Sequence, residues 1–422
     1  MSTSHTKKYL SFDILLDKFI SEVESLRATF PLVIKTLSVS QEQSMQKLSD
    51  FLEPLTSREE SDGQLKITVK VESDKVNKLL KLRREYTNFE IVDPIIKRSF
   101  IVSLISQFDT HLSRLIRTIF YLKPEILNSS EKTIKFIDLI EFNNIESARE
   151  YIIEKEIESV LRESHTDHFK WLENKLGFKT LRDLQAWATF IEITERRNLF
   201  VHCDGLISSQ YLKVCQENTV KLNNKLEVGK RLEVNEDYFN NAYQCIFEIG
   251  VKLVHTIWRK LIPDERDKAD NSLINLSVNL IGEEEYKLAN IFLNFASEDY
   301  IQKHSSQKSK ILFLVNKAQV IKWEGNEQEA RKVLDSIEWS ALSNNFKLAR
   351  AVLIDDFELA QKIMFKIGND EETISRLHYR EWPIFKEFRK SNEFLEAYEK
   401  IYNEPFMIVE ETSSILENSN NN

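Results

Sequence analysis

The residues Ile193-Thr-Glu-Arg-Arg-Asn-Leu-Phe-Val-His202, followed directly by Cys203-Asp204-Gly205, decide how the chain is read. Leu184, Trp187, Ile191 and Thr194 lead into them at helical spacing, so the stretch is the polar tail of an apolar-periodic helix. On that helix Glu195, Asn198 and His202 stand at i, i+3 and i+7 and share one face, with Arg197 one step round from Asn198. Gly205 supplies the left-handed conformation that commonly ends a helix. A guanidinium, an amide and an imidazole therefore gather where a helix stops. Cations near a helix C-terminus are also favoured by the macrodipole, so placement alone does not assign a function.

The chemistry of the three groups is suggestive. Arginine clamps a phosphate with a planar fork of donors. Histidine titrates near neutral pH and exchanges protons in a transition state. Asparagine can orient either of them. Glu195 and Arg196 read as a solvated helix face.

Arg197-Asn198-Leu-Phe-Val-His202 resembles the Arg-x(4 to 6)-His signature of the HEPN superfamily, small all-helical domains that include many ribonucleases of bacterial toxin and phage-defence systems. The resemblance implies that Arg197 binds and stabilises the scissile phosphate and that Asn198 orients the pair. It implies that His202 is general acid or base on the ribose 2′-hydroxyl or the leaving 5′-oxygen. Such enzymes need neither metal nor cofactor, because the 2′-hydroxyl is itself the nucleophile, and the product is a 2′,3′-cyclic phosphate or its opened form. Two copies of the motif face each other across a helical dimer. One histidine does not supply both acid and base, which gives that symmetry a physical reason. The expected activity is thus a metal-independent endoribonuclease, a toxin or anti-phage effector acting on RNA as a homodimer. The alternative is a non-catalytic HEPN-like scaffold for dimerisation or RNA binding that recruits a partner elsewhere on the chain. Neither a Gly-rich phosphate loop nor a Gly-Ser-x(n)-Asp-x-Asp arrangement supports nucleotide transfer.

Composition agrees with a helical protein. Among 422 residues there are only 8 Gly and 7 Pro, too few turn residues for a sandwich or barrel, while 42% hydrophobic content suffices for sizeable cores. A net charge of −9 excludes a general basic nucleic-acid coat, though a local cationic pocket is enough for an enzyme that touches one or two phosphates. Cys203, Cys215 and Cys245 have no CxxC spacing, which fits reduced thiols and a cytoplasmic location, and Cys203 is taken as structural. No apolar run reaches 18 residues, so no membrane partner is expected.

Upstream of the motif, Phe12 to Leu26 follow a helical pattern that Pro31 is expected to stop. Ser40 with Gln43 has the spacing of a capping box for a second helix running to Pro54. Residues 56–63 read as loop, and Gln64-Leu-Lys-Ile-Thr-Val-Lys-Val71 alternates as a strand, expected as a minor surface ribbon. After Pro94 the residues Ile101, Leu104, Ile105, Phe108, Leu112, Leu115, Ile116 and Ile119 form a broad apolar stripe. This segment resembles the long early HEPN helix that packs on the motif helix. Asp109 and His111 are candidates to reach the site, with surface placement preferred for each. His165 and His168, beside Asp167, have the i, i+3 spacing to share a metal with a carboxylate. No third protein ligand is evident, so no metal is expected there and the segment reads as a wet polar turn. Thr180 is the expected cap of the motif helix.

Beyond the charged joint at 263–267 the pattern changes. Ala318, Gly325 and Ala330 sit at small-residue positions that resemble a tetratricopeptide unit. Phe346-Lys-Leu-Ala349, Asp356-Phe-Glu-Leu-Ala360 and Phe394-Leu-Glu-Ala397 repeat the theme. The expected organisation is all-α. An N-terminal helical region with the ribbon covers 1–90, a HEPN-like domain 91–265, degenerate tetratricopeptide-like repeats 266–410, and a flexible tail 411–422. Stacked repeats present an extended surface, here suited to a protein or peptide partner.

Overall fold

The computed structural model describes residues 10–61, 64–130, 132–178, 181–222, 226–297, 303–370 and 374–407. The expected cap Thr180 and the tail from residue 411 lie outside them. The described chain is all-α apart from one two-stranded ribbon, and it divides into two compact units, residues 1–263 and 264–422. No described helix is long and apolar enough to cross a membrane.

The first unit opens with α1 (Phe12–Leu52), 41 residues that run unbroken through Pro31. The expected stop at Pro31 and restart at Ser40 therefore do not occur. Two antiparallel strands follow, β1 (Thr56–Ser61) and β2 (Gln64–Val69), paired from Thr56 with Val69 to Ser61 with Gln64. Residues 56–61, expected as loop, are thus the ribbon's other strand. An isolated strand leaves its backbone groups unpaired, and the polar stretch supplies the complement that β2 needs.

Helix α2 (Val76–Leu122) continues for 47 residues through Pro94 and lies along α1. A proline inside a helix costs about 3 kcal/mol. Each buried Leu, Ile or Phe contributes about 1.5–3 kcal/mol. The eight apolar residues of the stripe from Ile101 to Ile119 are fully buried, so packing along the helix outweighs either proline. At the point where the hairpin leaves the body, Phe30 stacks on Phe239 at 4.1 Å, and Phe100 meets Phe30 edge-on at 5.1 Å.

Four shorter helices follow: α3 (Phe136–Glu141), α4 (Ile145–Leu161), α5 (His165–Leu176) and α6 (Trp187–His202). Helix α4 is capped by Asn144, and α5 by Ser164, each accepting a backbone N–H from the first turn. After α7 (Ser209–Glu217) comes α8 (Glu236–Leu261), which packs on α1, α2 and α6. Where α1, α2 and α8 meet, the His111 ring stacks on Phe19 at 4.1 Å, and a Cβ at Gly250 would fall 2.3 Å from the same phenyl ring. Only glycine admits that approach. His111 is therefore fully buried, not on the surface, and burial pulls its imidazole down to about 3.

The second unit is a succession of helical pairs. These are α9 (Arg266–Gly282) with α10 (Tyr286–Phe295), α11 (Gln307–Trp323) with α12 (Glu327–Asp335), and α13 (Asn344–Leu353) with α14 (Phe357–Ile367). A residue of positive φ turns each pair: Glu284, Gly325 and Asp355. Ala318, Ala330 and Ala360 are buried at the close approaches. Two smaller helices, α15 (Arg376–Glu381) and α16 (Asn392–Tyr402), close the unit around Tyr379, Phe388, Phe394 and Tyr398.

Candidate functional site

Helix α6 ends where its sequence directs. Cys203 and Gly205 both donate their backbone N–H to the Leu199 carbonyl, at 2.8 and 3.0 Å, and Asp204 and Gly205 take φ of 51° and 78°. The end is also tied down from outside. Arg98 of α2 donates to the Asp204 carbonyl at 2.9 Å and to its carboxylate at 2.6 Å, and Arg231 pairs with the second carboxylate oxygen at 2.6 Å. Arg98 first, then Arg231, hold the Asp204 carboxyl below the usual range. Leu232 donates to the Gly205 carbonyl at 2.9 Å. The polar tail of α6 is thus fastened at its terminus before any ligand arrives.

Arg197 is about three-quarters buried and faces α2. One terminal nitrogen, Nη2, donates to Asp109 Oδ2 at 2.9 Å, and Nη1 donates to Asn198 Oδ1 at 3.0 Å. The other oxygen of the same carboxylate, Asp109 Oδ1, lies 2.9 Å from His165 Nε2. His168 follows one turn along α5, its ring centroid 5.0 Å from that of His165. Phe108 and Phe190 pack against His165 at 6.3 and 5.7 Å and wall it off from water. Burial pulls the His168 imidazole down to about 4, with His165 adding to the effect and Asp109 opposing it. Burial also pushes the Glu195 carboxyl up, against His165 nearby. His202, five residues beyond Arg197, is exposed and has no hydrogen bond or ion pair among the described residues.

The sequence-predicted trio is therefore divided. Arg197 and Asn198 are joined by a hydrogen bond. His202 does not meet Arg197 within the chain, because five helical steps turn a side chain by about 140°. It shares a face with Asn198, four residues before it. In place of His202, the fold brings Asp109 to Arg197, with His165 on the other oxygen of that carboxylate. The sequence places Asp109 on the surface and His165 in a wet turn, and the structure corrects both. His165 and His168 are buried among aromatic rings, and Asp109 is largely enclosed. The signal was in the register. Asp109 stands at i+4 from Ile105, and at i−3 and i−7 from Leu112 and Ile116, a charged residue at core spacing. His165 and His168 likewise fall in line with Phe169, Leu172 and Leu176, the apolar face of α5.

Arg196, one residue earlier, belongs to a different cluster and is not on a solvated face. Its Nε donates to Glu192 at 2.7 Å, and its guanidinium lies 3.8 Å from the centre of the Tyr238 ring. Tyr211 and Tyr238 donate their hydroxyls to the same carboxylate at 2.7 and 2.9 Å. Burial and the Glu192 charge raise both phenols above their ordinary range. Cys203 is exposed at the helix end.

No protein-family model matches the chain, and no curated protein or solved structure compared with it shows a significant match.

Proposed function

We propose that the chain is an endoribonuclease of HEPN type that cleaves without a metal or cofactor and acts as a homodimer in a toxin or anti-phage role. The observation that carries the reading is the presentation of Arg197. Its guanidinium is held by Asp109 and Asn198 on a helix that also carries an exposed His202 and whose end is pinned on two sides. Arg197 retains N–H donors on both terminal nitrogens after these bonds, enough to grip a phosphate. His202 keeps an accessible imidazole for proton transfer to or from the 2′-hydroxyl or the leaving oxygen. Because Arg197 and His202 diverge around one helix, a second protomer must supply the complementary histidine, so monomeric protein is inactive. The helical pairs of the second unit, tetratricopeptide-like in their small-residue positions, are the surface for a protein or peptide partner.

The test is incubation of purified protein with total RNA or tRNA in EDTA, alongside Arg197→Ala and His202→Ala. Wild type is expected to leave 2′,3′-cyclic phosphate ends, and either substitution to abolish them. Absence of cleavage by wild type, or equal cleavage by the variants, overturns the nuclease reading. One observation favours a second reading, a non-catalytic dimerisation or RNA-binding scaffold. The Asp109 carboxylate already neutralises Arg197. Overexpression that is harmless for wild type and His202→Ala alike selects the scaffold.

A further inference from the structure

The side chains that the fold gathers behind Arg197 have a chemistry of their own. One ligand atom each from Asp109, His165 and His168 lies within 4.8 Å of the others. The three come from two helices 43 residues or more apart in sequence, so nothing local forces them together. His168 is only 1% exposed; the Glu163 backbone carbonyl lies by its ring, and no hydrogen bond among the described residues satisfies the ring nitrogen that remains. A buried polar atom left unpaired costs roughly 1–3 kcal/mol. An imidazole placed at that cost beside a second imidazole and a carboxylate is a ligand set in search of a centre.

We propose that Asp109 Oδ1, His165 Nε2 and a ring nitrogen of His168 bind one divalent transition-metal ion of the zinc class. Two imidazoles and one carboxylate favour zinc and its neighbours over magnesium or calcium, which prefer oxygen shells. Metal–ligand bonds of about 2.0–2.2 Å place ligand atoms roughly 3.3–3.6 Å apart in tetrahedral geometry. The cluster therefore closes by side-chain rotation of about an ångström. The proton now shared between His165 Nε2 and Asp109 moves to Nδ1 or to solvent as the metal takes its place. The groups that orient these ligands are already in place. Arg197 holds Asp109 Oδ2 at 2.9 Å, which leaves Oδ1 turned to His165, and Asn198 steadies Arg197 in turn. The bound ion fastens α2 to α5 and fixes the carboxylate on which Arg197 rests. Metal uptake needs no RNA, so this inference stands or falls apart from the nuclease reading.

The experiment is a Co²⁺ titration of the untagged, metal-stripped full chain, followed by its visible absorption, with Zn²⁺ as competitor and metal content measured after dialysis. Expected are d–d bands that saturate at one Co²⁺ per chain, without near-ultraviolet thiolate charge transfer, and that Zn²⁺ removes. Asp109→Asn and His168→Gln should each weaken binding by more than about 100-fold, beyond the loss typical of a group that only orients a ligand. Cys203→Ser should leave the bands unchanged. Circular dichroism checks that each variant folds, and Asp109→Asn, at the more open edge of the cluster, decides the matter if His168→Gln does not. No saturable band in wild type overturns the proposal. So do bands that survive Asp109→Asn, or thiolate charge transfer that disappears in Cys203→Ser.

Discussion

Arg196 and Arg197 are neighbours on one helix and live in opposite circumstances. Arg196 is enclosed. Its charge meets Glu192, its flat face covers Tyr238, and Nη1 reaches the Glu233 carbonyl at 3.3 Å. The carboxylate it pairs with also accepts from two tyrosines, so donors and acceptors close on themselves. Arg197 rests on one carboxylate and one amide, and its Nε makes no hydrogen bond among the described residues. A network whose members are tied to one another resists change. An open one can exchange a partner for a phosphate. Each arginine makes two side-chain hydrogen bonds, so the donor count does not separate them; what differs is that a tyrosine ring covers Arg196 and two tyrosines share its carboxylate, whereas no ring among the described residues covers Arg197.

The comparison can be broken most decisively with RNA. Under the proposed function Arg197→Ala lowers cleavage by about 10²–10³-fold, the loss typical of one donor to a developing negative charge. The same substitution should shift urea stability by only about 1 kcal/mol, as for a partly exposed pair. Equal cleavage by Arg197→Ala and wild type would dissolve the contrast. On the closed side the balance reverses. Glu192→Ala leaves Arg196 and two tyrosine hydroxyls without their acceptor, and should cost about 3–5 kcal/mol in urea unfolding. A variant as stable as wild type would show that the network is no lock.

Alkaline pH sharpens the distinction further. Burial, with the Glu192 charge adding to it, raises Tyr211 and Tyr238, and it pushes the Cys215 thiol up from 9.0 to about 11. The unfolded chain loses these protons first, so stability is complete below pH 9 and falls as pH rises towards 11. Urea midpoints measured across that window check it, and a flat profile refutes it. The smallest effect belongs to the surface. Asp204 is exposed, and Asn tolerates its left-handed backbone, so Asp204→Asn should leave the melting midpoint unchanged within error.

How far these features could be read from residues alone depends on distance along the chain. The apolar stripe of α2 and the glycine stop after His202 are local patterns, and both stand where their spacing places them. The stop expected at Pro31 fails because a proline's cost is local whereas the burial that offsets it is tertiary. The Arg197–Asn198 bond lay within one helical turn and was legible. The Asp109 carboxylate, 88 residues away, was not, since a charge at core spacing can mean either a paired site or an edge. His111 shows the same ambiguity resolved into a dry core by Phe19 and Gly250.

The long hairpin has a mechanical consequence. No apolar residue of α1 beyond Phe30, nor of α2 before Ile101, is among the fully buried core, so about 20 residues of each helix pack chiefly on one another, with Arg98 tied to Asp204 at their base. At 1.5 Å per residue they make a lever of roughly 30 Å with the ribbon at its tip. Its fulcrum is the ring trio of Phe30, Phe100 and Phe239. Asp109 sits nine residues, or about 13 Å, along the short arm. The buried stripe from Ile101 onward clamps that arm, so a push on the ribbon bends the protruding segment before it moves the carboxylate that Arg197 leans on.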